Sequence, residues 1–301
     1  MYKYMVSILI AAYNVSQYIE RCLKSLEVQT FKDFEVIIVN DCSTDTTKDV
    51  IANYLNKSRL LAVVIDLDEN QGPSFGRHTA LAKAQGDYFY CIDGDDWIEP
   101  DAIEKLYNKA IEKNYDIVAC DFYIDTGQSK NPVEMKEFEP TKIQYNNVAG
   151  NWSVVWRHFV KTSFAKGHDL IKENKLNGGE DYLLINQLSL FTTSIGYVRK
   201  PLYHYFVKNT TSIMKSVNMQ ALADQFKATL YIENIVKTKN RPDLTEALNF
   251  RYLYLKKEIF KMSLKAWRKW KPDANLFRFS KNNSLKDKIV FLILSFFSKF
   301  L

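Results

Sequence analysis

Four short apolar runs, separated by stretches with helical periodicity, occupy the first hundred residues, and this alternation limits the fold more than any other feature. Val6 to Ala11, Phe34 to Val39, Leu61 to Ile65 and Tyr88 to Ile92 read as strands. Between the first two, Ile19, Leu23 and Leu26 recur at helical spacing, with Ser16 placed to cap that helix. Asn70-Gln71-Gly72-Pro73 is a turn signal, and Ser74 to Ala84 reads as a helix closed by Gly86. Strands alternating with helices predict a layered α/β domain with a mostly parallel sheet. In such sheets ligands sit beyond the carboxyl ends of the strands, where Asn40-Asp41 and Asp93-Gly94-Asp95-Asp96 fall.

The rest of the chain fits one sizeable core plus a smaller unit, because 47% of its 301 residues are apolar and disorder is not the default. Residues 125 to 150 are polar and weakly patterned, an excursion between two halves of the domain. Beyond 215, Leu222, Phe226, Leu230 and Ile235, then Leu253, Ile259, Phe260 and Leu264, are spaced for amphipathic helices. Val6 to Ala12 follows a single lysine and runs into Tyr13, too short for a spanning helix or signal segment. Cys22, Cys42, Cys91 and Cys120 show no metal or redox spacing, which suggests ordinary thiols in a reducing compartment and a cytoplasmic protein.

Three acidic clusters follow strand or loop ends: Asn40-Asp41 with Asp45, Asp93-Gly94-Asp95-Asp96, and Glu180-Asp181. Carboxylates this close repel one another, so a cation is expected beside the second cluster. A sugar diphosphate leaving group makes the same demand, since its developing charge needs a divalent ion held by oxygen ligands. Isolated, an Asp-x-Asp after a strand is more often a solvated turn.

Here it is not isolated. Val6-Ser7-Ile8-Leu9-Ile10-Ala11-Ala12-Tyr13-Asn14, the run Gln29 to Asp45, Asn70-Gln71-Gly72-Pro73-Ser74 and Asp93-Gly94-Asp95-Asp96-Trp97-Ile98 follow in order. This set resembles the family 2 glycosyltransferases, strongly over residues 4 to 121 and less so through Trp156 and Glu180-Asp181 to about Ile213. The resemblance implies a GT-A fold, Rossmann-like and α/β, over residues 1–214, with a donor half at 1–121 and an acceptor half at 150–214. A mainly helical, basic region, 215–301, follows.

It further implies a metal-dependent enzyme that moves a sugar from a UDP-sugar to an acceptor hydroxyl with inversion, using Mn2+ or Mg2+, in surface polysaccharide or glycoconjugate synthesis. The acceptor would be a glycan, lipid-linked or protein-linked. By that resemblance Tyr13 and Ala11 lie by the base, Asp41 accepts a hydrogen bond from uracil, Asp93 and Gly94 lie near the ribose, and Asp95 holds the cation. Asp93 and His204 stay open as further metal ligands, and His204 as packing or an acceptor contact. Arg77 either steadies the acidic loop or meets the diphosphate. Asp181 is the candidate base, in a segment that also reads as a helix N-terminus, where acids are favoured. The chain departs from the family pattern at Ala11, usually proline, Asn40, often aspartate, Ser16, often glutamate, and Cys42, often glycine, where a side chain enters a turn that usually has none.

Toward the end, Lys265, Arg268, Lys269, Lys271, Arg278, Lys281, Lys286 and Lys288 lie among Trp267, Trp270, Phe277 and Phe279, before the apolar run Ile289 to Phe297. That run is shorter than a bilayer span. A basic aromatic segment of this kind suits the inner face of an anionic membrane, where lipid-linked acceptors are found, or packing on the domain or on a second copy. No nucleic-acid module accompanies the basic residues. Two rivals remain. A sugar nucleotidyltransferase needs a glycine-rich basic loop that Ala11 to Ser16 lacks, and a catalytically silent binding protein would not need Asp41, Asp93, Asp95 and Asp181 together.

Overall fold

The computed structural model describes residues 4–136, 138–151, 153–171, 176, 178–209 and 219–270, the stretch 263–270 as backbone only. Three strands, β1 (Val6–Ala12), β2 (Phe34–Asn40) and β4 (Tyr88–Asp93), are buried along nearly their whole length. Helices cover both faces, which explains why these strands read as continuous apolar runs and not as alternating ones. On one face α1 (Ile19–Glu27) and α4 (Ala102–Glu112) pack Ile19, Leu23, Leu26, Ile103 and Leu106 around Val6, Ile8 and Ile10. On the other, α3 (Pro73–Lys83) and α7 (Glu180–Phe191) bring Ala80, Ile185 and Leu188 to Leu9, Ile37 and Phe89. The edge strand β3 (Ala62–Asp66), joined to β2 by α2 (Thr47–Leu55), leaves Val63 and Val64 exposed.

The sheet runs β3-β2-β1-β4-β8-β6-β9-β5, with β7 paired to β6. Its later members are β5 (Trp97–Ile98), β6 (Ile117–Asp125), β7 (Lys130–Val133), β8 (His158–Lys161) and β9 (Ile195–Phe206). The first four strands are parallel, β8 is antiparallel to β4 and β6, and β9 is parallel to β6. From β1 the chain steps outward to β2 and β3 and then returns to β1's other side as β4. The reversal opens a crevice at the carboxyl ends of β1 and β4, the place where open α/β sheets take ligands. Register sets Ala11 between Val39 and Asp93, and Ala12 opposite Asn40.

Two local expectations are corrected. Ser16 does not cap α1: its N–H donates to Asp45, a turn on the Val15 carbonyl precedes the helix, and Tyr18 holds the cap position. Gly86 does not close α3, which ends at Lys83; its N–H donates to the Ser7 hydroxyl, and a Cβ there would lie 2.5 Å from the Ser7 nitrogen. The glycine is required by a crossing of two backbones. The weakly patterned stretch from 125 to 150 contains β7 and the helix α5 (Pro140–Ala149), and the short helix α6 (Thr162–Lys166) follows β8.

The C-terminal region is helical, as expected, over its described part. α8 (Met219–Thr238) and α9 (Thr245–Trp270) pack on α5 and α7 around a third core containing Val148, Leu183, Leu190, Ile232, Val236 and Leu248.

Candidate active site

At the crevice the loops after β1 and β2 are tied together. Asn14, at φ 52°, accepts with its Oδ1 from the N–H groups of Thr44 and Asp45, while the Val15 N–H donates to the Thr47 hydroxyl. Asp41, at the end of β2, is buried, and its carboxylate holds the turn before α3. Oδ1 accepts from the Gln71 N–H at 2.7 Å, and Oδ2 accepts from the Gly72 N–H at 2.8 Å and from the Asn70 amide at 3.0 Å. Charge-assisted bonds of this kind fix both partners, so Asp41 orders the loop that leads into α3.

Arg77 is the hub. An ideal Cβ at Gly76 would lie 3.3 Å from that of Ala11, so glycine lets α3 press onto β1 and carry the next residue under the crevice. The buried guanidinium donates to Asp93 at 2.8 Å and to Asp181 at 2.7 Å, with Glu180 at 4.0 Å. Burial works against its charge, but Asp181, Asp93 and Glu180 outweigh that and hold its pKa above the usual arginine range. Arg77 thus lies against Asp93, at the start of the acidic loop.

The acids it gathers differ. Asp181 Oδ1 meets Arg77 and its Oδ2 accepts the Val155 N–H at 3.1 Å; burial raises its pKa, and Arg77 opposes the rise. Glu180 sits farther from Arg77, and burial followed by the charge of Asp181 pushes its carboxyl up to about 7. Both acids start α7, after Gly179 at φ 87°, so the helix N-terminus and the acid pair are one feature.

Beyond β4, Gly94 passes over the start of α1, where a Cβ would come within 3.0 Å of the Val15 side chain. Asp95 Oδ2 accepts from the Asn209 amide at 2.6 Å, and its carbonyl accepts from Arg21 at 2.8 Å. Burial and the nearby Asp93 charge raise the Asp95 pKa. Asp96, given no role in the sequence reading, is buried; it accepts from the Tyr203 hydroxyl at 2.7 Å and the Phe206 N–H at 2.8 Å. Tyr203 also accepts the Asp93 N–H and stacks on Trp156 at 4.5 Å. β9 thereby clamps the acidic loop. Asn209, Arg21 and Tyr203 carry no local sequence signal, because their roles arise only through partners over 70 residues away.

Tyr13 is exposed at the end of β1, so its ring is not core packing. The His204 Nδ1 pairs with Asp125 at 2.9 Å and its Nε2 with Glu99 at 3.0 Å, and its ring stacks on Trp97, contacts that fit the packing alternative between β5 and β9.

Among the described residues no three His, Cys, Asp or Glu side chains form a ready metal cage. Mg2+-type sites commonly use one or two carboxylates and complete their shell with substrate phosphates. Asp93 and Asp95 supply donors of that kind: burial, and after it the charge of Asp93, disfavours the Asp95 carboxylate, and a cation would offset both.

The family model for glycosyl transferase family 2 matches residues 7–166. EpsH of Bacillus subtilis, named as a glycosyltransferase, is 30% identical over 221 residues, covering 70% of this chain and 63% of EpsH. The Staphylococcus aureus poly(ribitol-phosphate) beta-N-acetylglucosaminyltransferase TarS is 28% identical over 213 residues, or 70% of this chain and 37% of TarS. The chain thus spans less than two thirds of these relatives. A crystal structure of TarS 1-349 with UDP-GlcNAc superposes with a TM-score of 0.74 at 24% identity, covering 88% of this chain and 77% of that one. The Pyrobaculum calidifontis mannosyltransferase PcManGT, solved with GDP-Man and Mn2+, gives 0.56 at 15% identity over 100% of this chain and 81% of its own. The fold is GT-A, with a helical C-terminal region.

Proposed function

Since this chain belongs to glycosyl transferase family 2, we propose that it is a glycosyltransferase that moves a sugar from a UDP-sugar to an acceptor hydroxyl with inversion, in the making of a surface glycan or glycoconjugate. The observation that carries the reading is Arg77, whose one guanidinium holds the donor-side acid Asp93 and the candidate base Asp181 together. In this reading the exposed Tyr13 ring and the ordered Asp41 turn take the uracil, beside Ala11, and Asp93 and Gly94 border the ribose. When bound, Mn2+ or Mg2+ supplies charge neutralisation for the leaving diphosphate, and Asp95 with Asp93 would hold it.

Asp181, oriented by Arg77 and the Val155 N–H, takes the acceptor proton as the acceptor oxygen bonds to the anomeric carbon. The bond from that carbon to the UDP oxygen breaks on the opposite face, and the electron pair leaves with UDP. A second reading is favoured by one observation: Glu180, less tightly paired and with its carboxyl at about 7, is the better poised proton acceptor. UDP-GlcNAc is the donor to try first, because a TarS neighbour was solved with it. The catalytic unit in this proposal is 1–214, with α8 and α9 packed on it, and the basic aromatic stretch beyond contacts a membrane surface or a second copy.

Metal-dependent UDP release across a panel of UDP-sugars tests the reading. Asp181→Asn should bind donor like the parent and turn over about a hundredfold to ten-thousandfold more slowly. A larger loss in Glu180→Gln moves the base to Glu180, and normal turnover in both removes this acid pair from the chemistry. Asp95→Ala should bind UDP with an affinity that no longer responds to manganese in calorimetry; a retained response takes Asp95 out of the cation site.

A further inference from the structure

The turn that presents Glu180 and Asp181 has its back against the C-terminal helices. An added Cβ at Gly179 would lie 3.0 Å from the Gln225 Cα and 3.3 Å from the Ala228 Cβ, and one at Gly178 would lie 3.3 Å from the Ala221 carbonyl oxygen. Two glycines in succession let α8 lie directly on the turn, and Gly179 also needs its positive φ. The contact residue Gln225 is itself held from α9: the Arg251 guanidinium donates to its Oε1 at 3.1 Å.

Arg251 is buried, and among the described residues no carboxylate lies within ion-pair distance of it. Its guanidinium lies 4.4 Å from the ring centre of Tyr182, the residue directly after Asp181, and packs on Gly150, where an added Cβ would fall 2.8 Å from Nη1. Tyr182 in turn donates its hydroxyl to the Val148 carbonyl at 2.9 Å, tying α7 to α5. Holding a guanidinium charge in this buried position is costly, and burial lowers its pKa. A well-packed apolar residue would meet a purely structural need at lower cost.

We propose that Arg251 is a positioning residue for the acid pair, acting through Gln225 and Tyr182 to set how far the Gly178-Gly179 turn carries Glu180 and Asp181 into the crevice. The inference rests on the proposed transferase reading, in which those carboxylates meet the acceptor. It makes the C-terminal helices part of the active site's support, although neither helix has an assigned contact with donor or acceptor. Misplacing a reacting group by about 1 Å can cost on the order of a hundredfold in rate while binding elsewhere is kept.

The test uses the full chain with Arg251→Met, Arg251→Lys and Gln225→Ala, measuring manganese-dependent UDP release from UDP-GlcNAc or the best donor of the panel, UDP affinity by calorimetry, and Tm. Folded Arg251→Met should lose about tenfold to a hundredfold in kcat with UDP affinity within about twofold of the parent, Arg251→Lys should recover part of the loss, and the pH profile of kcat should shift. If Arg251→Met fails to fold, Gln225→Ala, on a half-buried side chain, carries the test with the same split. Parental kcat and pH profile in a folded variant, or equal losses in kcat and UDP affinity, overturn the proposal. Asp181→Asn and Glu180→Gln run beside them separate the two ideas: if neither slows UDP release, the transferase reading of this acid pair has failed and not merely the support for it.

Discussion

At Glu180, burial and the neighbouring Asp181 lift the carboxyl from an ordinary 4.5 to about 7, so within that window the folded chain keeps a proton that the unfolded chain has released. The native state then binds more protons, and stability falls as pH rises. The contribution is fully present below the unfolded value and lost as pH passes the folded one. Urea unfolding should show stability declining from about pH 5 to about pH 8, and Glu180→Gln should flatten part of that decline. An unchanged slope would mean that this carboxyl titrates normally. The strand-end pattern placed Asp41, Asp93 and Asp95 at the mouth of the crevice, whereas Asp181, at the start of α7, was singled out only by the resemblance. Asn40 was not legible: its amide donates to Asp66 at 2.8 Å, and an aspartate at that position would face a second carboxylate. Cys42 was half legible, since the side chain does sit at φ 55°, in the region that favours glycine.

Among the elements, β9 shows how a strand can govern a loop it does not adjoin in sequence. The Tyr203 hydroxyl accepts the Asp93 N–H at 3.1 Å and donates to buried Asp96 at 2.7 Å. Tyr203→Phe keeps the stack on Trp156 but leaves two buried polar groups without this partner, at a cost of about 1–3 kcal/mol. Urea denaturation should register that loss, and manganese-dependent UDP affinity should fall with it; parental values for both would show that the acidic loop holds its shape unaided. The first four strands were readable because burial on both faces makes them continuously apolar. Helix α5 was not, because its buried face includes Gln144 and Asn147. Gln144 is satisfied by the carbonyls of Ser189 and Thr192, so a polar residue takes an inward position and the helical pattern vanishes. Ser16 misled because a turn on the Val15 carbonyl stood in for the side-chain cap.

For the molecule as a whole, no described helix is long and apolar enough to cross a membrane, and the basic aromatic stretch singled out in the sequence lies mostly beyond the described residues. Truncation after Ser280 should lower binding to anionic vesicles in a flotation assay and leave UDP affinity nearly intact; loss of solubility instead would make the segment part of a core or an interface. The sheet itself has one seam, where parallel β4 meets antiparallel β8 through Tyr88, Phe89 and Tyr90 against Lys161, Val160 and Phe159. All the strands that carry Ala11, Asp41 and Asp93 lie to one side of that seam, and the strands of the later half lie to the other. Recombination between relatives therefore has a natural joint. Chimeras that exchange everything after β4 must match this three-residue ladder and the Tyr88–Phe159 stack, and also the packing of α4 and β5 on α1, the Arg21 bond to the Asp95 carbonyl and the reach of Arg77 to the incoming acid pair.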